Sequence, residues 1–149
     1  MRVVILALAA VAALSPALAS DKTDVTATVT KFNDEFNKGN ADAAAALCTP
    51  QAHIIDDFAP YEWQSANTCA DWAAALTTYD KKNNITGEMV TVGKPWRVAV
   101  TGDRGYVVYP VHYSYKLKGK PVIEQGVWTL ALQKLAVGWR IKSWSWAQH

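Results

Sequence analysis

The chain has 149 residues, 50% of them hydrophobic, with 15 Lys and Arg against 13 Asp and Glu. A net charge of +2 is too small to steer polyanions, and the sequence shows neither a basic face nor a nucleic-acid-binding module, so nucleic-acid partners are excluded. Lys116, Lys118 and Lys120 do cluster, but around Gly119 and Pro121, where a solvated hairpin turn is expected.

In chain order, Met1 and Arg2 give a short basic start. Val3 to Leu14 is unbroken and apolar, and Pro16 and the small-residue run Ala17-Leu18-Ala19 follow. This pattern reads as a secretory signal peptide cleaved after Ala19, because the run is too short for a membrane span of about 20 residues. No Cys follows the cleavage point to accept a lipid. The expected division is a signal peptide over 1–19 and one domain over 20–149, exported to the periplasm or beyond, with no membrane attachment after cleavage.

Val25, Val29, Phe32 and Phe36 recur at helical spacing, opposite Lys31, Asp34, Glu35 and Lys38, so a first helix is expected from about Asp24 to Lys38. Gly39 supplies its left-handed stop, and Asn40 caps a short alanine-rich helix that ends before Thr49-Pro50. Ala52 to Phe58 reads as a strand, with Ile54, Asp56 and Phe58 on one face and His53, Ile55 and Asp57 on the other. A third helix opens at Thr68-Cys69-Ala70-Asp71 in a capping-box pattern, carries the stripe Cys69, Trp72, Leu76 and Tyr79, and closes at Asn83-Asn84. Cys48 and Cys69 both fall in the exported part, where an oxidising compartment favours a disulfide over two buried thiols.

From Thr86 the period changes to two, with turn signals around Gly102, Gly119 and Gly138, so a meander of four long strands is expected. Alternation sends Val107, Tyr109, Val111, Tyr113, Tyr115 and Leu117 inward on the second of these. It sends Glu124, Gly126, Trp128, Leu130 and Leu132 inward on the third, and Ile141, Ser143 and Ser145 on the last. Trp144 and Trp146 then face out, an aromatic patch of the kind that marks an interface, and a homodimer through that convex face is expected. Pro95 and Pro110 mark bends that curl the sheet. The expected fold is α+β: a cone of three N-terminal helices packed on one curled, mostly antiparallel sheet around an apolar pocket.

The run Lys31-Phe32-Asn33-Asp34-Glu35-Phe36-Asn37-Lys38-Gly39-Asn40-Ala41-Asp42, the strand ending Ile54-Ile55-Asp56 and the terminal Gly138-Trp139-Arg140-Ile141 together resemble the nuclear transport factor 2-like superfamily. Its SnoaL-like and ketosteroid-isomerase-like branches are the nearest. The resemblance implies the cone fold, but this scaffold hosts isomerases, dehydratases, cyclases, epoxide hydrolases and noncatalytic modules alike. Asp56 falls where steroid isomerases place their general base. The Tyr of their oxyanion hole corresponds to Phe32 here, and the second Asp falls near Trp128. The enolate-stabilising half of that chemistry is therefore missing. The His that SnoaL-like relatives often carry on the last strand is replaced by Ser143 and Ser145.

An inward carboxylate must be neutralised or find a donor, and Tyr109, Tyr113, Trp63 and Ser145 are the candidates. Either outcome suits Asp56 as a general base; the alternative is a hydrated residue at the pocket mouth. Glu124 reads as a solvated rim residue. Phe32, Phe58, Trp63, Trp72, Tyr109, Tyr113, Trp128, Ser143 and Ser145 are the candidate ligand-binding residues, and Trp96 is a further candidate for a pocket wall. His53, His112 and His149 lack ligand spacing, so neither a metal nor another cofactor is expected. The leading expectation is an exported SnoaL-like domain that binds a small hydrophobic molecule, with or without acid-base turnover at Asp56. Its competitor is a noncatalytic accessory module that associates through the outer sheet face.

Overall fold

The computed structural model describes the chain from Pro16 to His149, with side chains from Ala19 onward. Most of the expected signal peptide, residues 1–15, lies outside the described residues. Helix α1 (Pro16–Asn37) continues without a break past Ala19, the expected cleavage point. Val25, Val29 and Phe32 are buried along its inner face, with Phe36 half-buried beyond them. Gly39 ends the turn after the helix at φ +73, a conformation that carries little penalty only without a Cβ. Asn40 then caps helix α2 (Ala41–Ala45), its side chain accepting from the Ala43 N–H at 3.5 Å.

In helix α3 (Thr68–Asn83) the N-cap position falls on Asn67, which makes no side-chain cap hydrogen bond, and not on Thr68, which corrects the capping-box expectation. The Thr68 hydroxyl is buried and donates to the Ala52 carbonyl at 2.7 Å, so it ties the start of α3 to the first strand instead of satisfying the helix's own amides. Asn84 closes α3 in the left-handed conformation at φ 56.

The strands are β1 (Cys48–Ile55), β2 (Glu62–Gln64), β3 (Ile85–Val92), β4 (Arg97–Thr101), β5 (Arg104–Leu117), β6 (Lys120–Leu135) and β7 (Gly138–Gln148). They form one sheet in the order β2-β1-β7-β6-β5-β3, with β4 pairing with β5 off that path. Every pairing is antiparallel except that of β1 with β7. The expected four-strand meander has five strands, because its first member breaks between Val92 and Arg97, at Pro95. β4 pairs with β5 from Arg104 to Val108 and β3 pairs with it from Val111 to Leu117. Pro110 sits at that changeover, where a missing N–H leaves no ladder position unfilled.

The inward parity expected for β5 and β6 holds where the sheet meets the helices: Val107, Tyr109, Val111, Trp128, Leu130 and Leu132 are buried. On β7 it fails beyond Ile141. Leu132 pairs with Ile141 but Ala131 pairs with Ser143, so Lys142 is an extra residue on β7, a β-bulge. One inserted residue exchanges the two faces of the strand. Trp144 is therefore buried and Trp146 half-buried on the inner side, which corrects both the outward placement of Trp144 and Trp146 and the inward placement of Ser143 and Ser145.

Cys48 and Cys69 form a disulfide, with S–S 2.03 Å, that joins the start of β1 to the first turn of α3. Such a bond suits an oxidising compartment. Among the described residues, no helix is long and apolar enough to cross a membrane.

Candidate functional site

The helices and the inner face of the curled sheet enclose a cavity of about 280 Å³. Helix α3 presents Trp72, Leu76, Tyr79 and Asp80 to it, one face of a helix at spacings of four, three and one. Phe32, Asn33 and Phe36 come from α1, and β5, β6 and β7 supply Val111, Tyr113, Tyr115, Glu124, Trp128, Trp144, Trp146 and Gln148. The tryptophans brace one another. Trp144 meets Trp72 edge-on at 4.9 Å between ring centroids and Trp128 at 5.8 Å, and Phe32 lies 5.8 Å from Trp128. Edge-to-face packing at these separations is favourable beyond the area it buries.

Asp56 follows immediately on β1, and its own N–H donates to the Tyr61 carbonyl at 3.1 Å, closing the turn into β2. Its carboxylate accepts from the Trp72 indole N–H at 2.8 Å and from the Asp57 backbone N–H at 2.9 Å. Trp72 is thus the donor, in place of Tyr109, Tyr113, Trp63 or Ser145. Burial pushes the Asp56 pKa up to about 6 although the two hydrogen bonds pull it down. The residue is half ionised near pH 6 and mostly a carboxylate at neutral pH, with a spare lone pair on each oxygen.

Of the expected ligand-binding residues, Phe32, Phe58, Trp72, Tyr113 and Trp128 line the cavity together with Asp56. Trp63 packs behind Phe58, 4.7 Å between ring centroids, and Tyr109 is buried in the core without reaching the cavity. Ser143 and Ser145 lie on the opposite face of β7, and Trp96 is 64% exposed. Asp57, expected to point away, lines the cavity and accepts from the Trp146 indole N–H at 3.0 Å. Strand alternation stops at Ile55, so it no longer governs Asp57. Glu124 is a wall residue that accepts from the Tyr115 hydroxyl at 2.6 Å. His53 pairs with Glu62 at 2.7 Å, away from the cavity.

Asp80 and Asn33 escaped the sequence reading, although Asp80 continues the α3 stripe eight residues beyond Trp72 and Asn33 neighbours Phe32. Burial and the adjacent charge of Glu88 raise the Asp80 pKa to about 7. Burial raises the pKa of Tyr113 as well, with the nearby acids adding to it. Four buried polar atoms of cavity-lining residues have no hydrogen-bond partner among the described residues: Asn33 Oδ1, Asp80 Oδ1, the Tyr113 hydroxyl and Trp144 Nε1.

By sequence, the chain matches no family model and no curated protein. By structure, it is similar to a proposed dehydratase of the NTF2-like family from Streptomyces avermitilis, with a TM-score of 0.74 and 16% identity over 89% of this chain and 98% of that one. A ketosteroid isomerase-like protein from Erwinia carotovora atroseptica matches with a TM-score of 0.65 and 15% identity over 91% of this chain and 98% of that one. An NTF2-like protein with a cystatin-like fold from Novosphingobium aromaticivorans matches with a TM-score of 0.71 and 15% identity, covering 89% and 84%. The fold is nuclear transport factor 2-like. At these identities the likeness extends to the scaffold alone, and it agrees with the resemblance carried by the α1 run, the end of β1 and the Gly138-Trp139-Arg140-Ile141 segment. In this nuclear transport factor 2-like cone the cavity lies between α3, the end of β1 and the β5–β7 face, and Asp56 is placed at its wall.

Proposed function

We propose that this is an exported SnoaL-like protein that binds a small hydrophobic molecule in the cone and moves a proton with Asp56. The observation that carries this reading is Asp56 itself: a carboxyl poised near pH 6, fixed by Trp72, at the wall of an aromatic cavity. In the reaction proposed, the ionised carboxylate takes a proton from a C–H bond of the bound molecule, or from a water beside it, onto the free lone pair of one oxygen. The Trp72 N–H stays in place throughout and fixes the carboxylate's orientation. The oxyanion donors of steroid isomerases are absent at Phe32 and Trp128, so a different donor must face the developing charge. The unpartnered donors on the lining are the Tyr113 hydroxyl and the Trp144 N–H, and Trp144, whose ring packs against Trp72, is the one assigned to it. The disulfide supports export, because such bonds persist in oxidising compartments.

Native mass spectrometry of the protein from its own host identifies the occupant. Incubating that compound in deuterated water with wild type and with Asp56→Asn then tests the chemistry. Exchange catalysed by wild type and reduced at least ~100-fold in the variant, with affinity retained, is the expected result. Equal exchange in both identifies a passive binder, and an empty cavity in the native protein counts against ligand binding altogether. Pairing of two copies through the outer sheet face no longer has the tryptophan pair to drive it. Sedimentation at micromolar concentration decides it, and a strict monomer removes it.

A further inference from the structure

The whole chain is slightly basic, yet the cavity is not. Among the described residues, its lining includes the four acids Asp56, Asp57, Asp80 and Glu124, and no Lys, Arg or His. Much of the rest is aromatic, and the π-faces of such rings attract cations.

Three of the four cavity-lining polar atoms left without partners, those of Asn33, Asp80 and Tyr113, belong to one end. Asn33 lines the cavity and is only 6% exposed; its Nδ2 donates to the Val90 carbonyl at 3.1 Å, and its Oδ1 is buried with no donor among the described residues. Val90 pairs across the sheet with Tyr113, whose hydroxyl is likewise unpartnered. Asp80 approaches from α3, close enough for its charge and that of Glu88 to act on Tyr113. Glu124 completes this end, accepting from Tyr115. Asn33 Oδ1 can only accept, and Asp80 Oδ1 accepts whenever its carboxyl is ionised, as a cation beside it would favour; a buried acceptor left unmade is costly. The missing group is therefore a donor. The end of α3 adds its own negative potential, and the exposed Lys81 and Lys82 are not part of the lining. Asp80 lies eight residues from Trp72, or about 12 Å along the helix, so the acceptor-rich end and the Asp56 end are separated by about the length of a small molecule.

We propose that the cavity selects a molecule with a hydrophobic body and a protonated amine, the N–H groups donating to Asp80 and Asn33 and the charge lying against the surrounding aromatic rings. This rests on the reading of the cavity as a binding site for a small hydrophobic molecule, and adds the charge of the ligand and the end at which it lies. Bound in that sense, the molecule extends its body along the tryptophans toward Asp56. Anionic molecules are disfavoured by the four acids.

The test is a fluorescence titration of the mature protein, whose Trp72, Trp128, Trp144 and Trp146 line the cavity. The probes are phenethylammonium, the neutral 2-phenylethanol and the anionic 3-phenylpropanoate. The expected order is ammonium about tenfold tighter than the alcohol, with the carboxylate weakest. Asp80→Asn removes one of two adjacent acids and is not expected to impair folding; it should bring the ammonium and alcohol affinities within about twofold of each other. Glu124→Gln should narrow the gap by less. Equal binding of the three probes, or tighter binding of the alcohol or the carboxylate, overturns the assignment of charge while leaving a hydrophobic site intact. A preference for the ammonium that Asp80→Asn does not alter overturns the placement at Asp80. Failure of all three to bind removes the hydrophobic site and this proposal together.

Discussion

Asp56 holds a carboxylate where burial disfavours its charge, and the consequence is measurable without knowing any ligand. Its pKa rises from 3.8 to about 6 on folding, so between those values the folded state binds more protons than the unfolded one. Stability then falls as the pH rises through that window. Asp80, raised to about 7, acts in the same direction. Asparagine at position 56 cannot ionise, so the stability difference between Asp56→Asn and wild type should shift in favour of the variant by about 2 kcal/mol from pH 4 to pH 7, after discounting for partial exposure. Urea unfolding at the two pH values measures it. The comparison cancels the loss of a hydrogen bond from the Asp57 amide, which is the same at both. A shift of the opposite sign would mean that Asp56 is stabilised as an anion in the fold, contrary to its position at the cavity wall.

At the scale of the element, what was legible in the sequence followed from periodicity, and what was not followed from where periodicity stops. The stripe Val25, Val29, Phe32 and Phe36 located the inner face of α1, and Val107 to Val111 and Trp128 to Leu132 located that of the sheet. No alternation rule announces a bulge, so Lys142 exchanged the faces of β7 and placed two tryptophans where alternation puts two serines. Nor does it announce that β1 ends at Ile55, which turned Asp57 into the cavity. The bulge has a structural counterpart in Gly126 on β6. A Cβ there would lie 2.5 Å from Trp146 Cη2 and 2.8 Å from the Ala147 carbonyl, so the inward ring of Trp146 requires a glycine at position 126, diagonal to it across the ladder. Gly126→Ala should cost about 1–3 kcal/mol and displace Trp146 from Asp57. Thermal unfolding would register the first effect and a red-shifted tryptophan emission the second. An alanine variant as stable as wild type, with unchanged emission, would show that Trp146 does not pack as described.

Across the whole molecule, the acid and its donor lie on different elements: Asp56 follows β1 and Trp72 belongs to α3. Two links hold those elements together near the site, the Thr68 hydroxyl on the Ala52 carbonyl and the Cys48–Cys69 disulfide. The disulfide spans 21 residues of sequence, and the closed segment includes Asp56 and the turn into β2. Closing a loop of that size restricts the unfolded chain by about 3 kcal/mol. Reduction, or the pair Cys48→Ala and Cys69→Ala, should lower stability by about that amount in urea unfolding. The fold itself should persist, because the sheet and the α1 stripe do not depend on the bridge. The effect should reach the site as well: with α3 freer relative to β1, the Trp72 bond to Asp56 weakens, and the pKa of Asp56 moves up from about 6 as it loses the donor that favours its charged form. NMR titration of the Asp56 carboxyl with and without reductant would follow that movement. A pKa that stays fixed while stability drops would place the bridge's role in the unfolded chain alone, with the sheet and Thr68 sufficient to hold the acid against its donor.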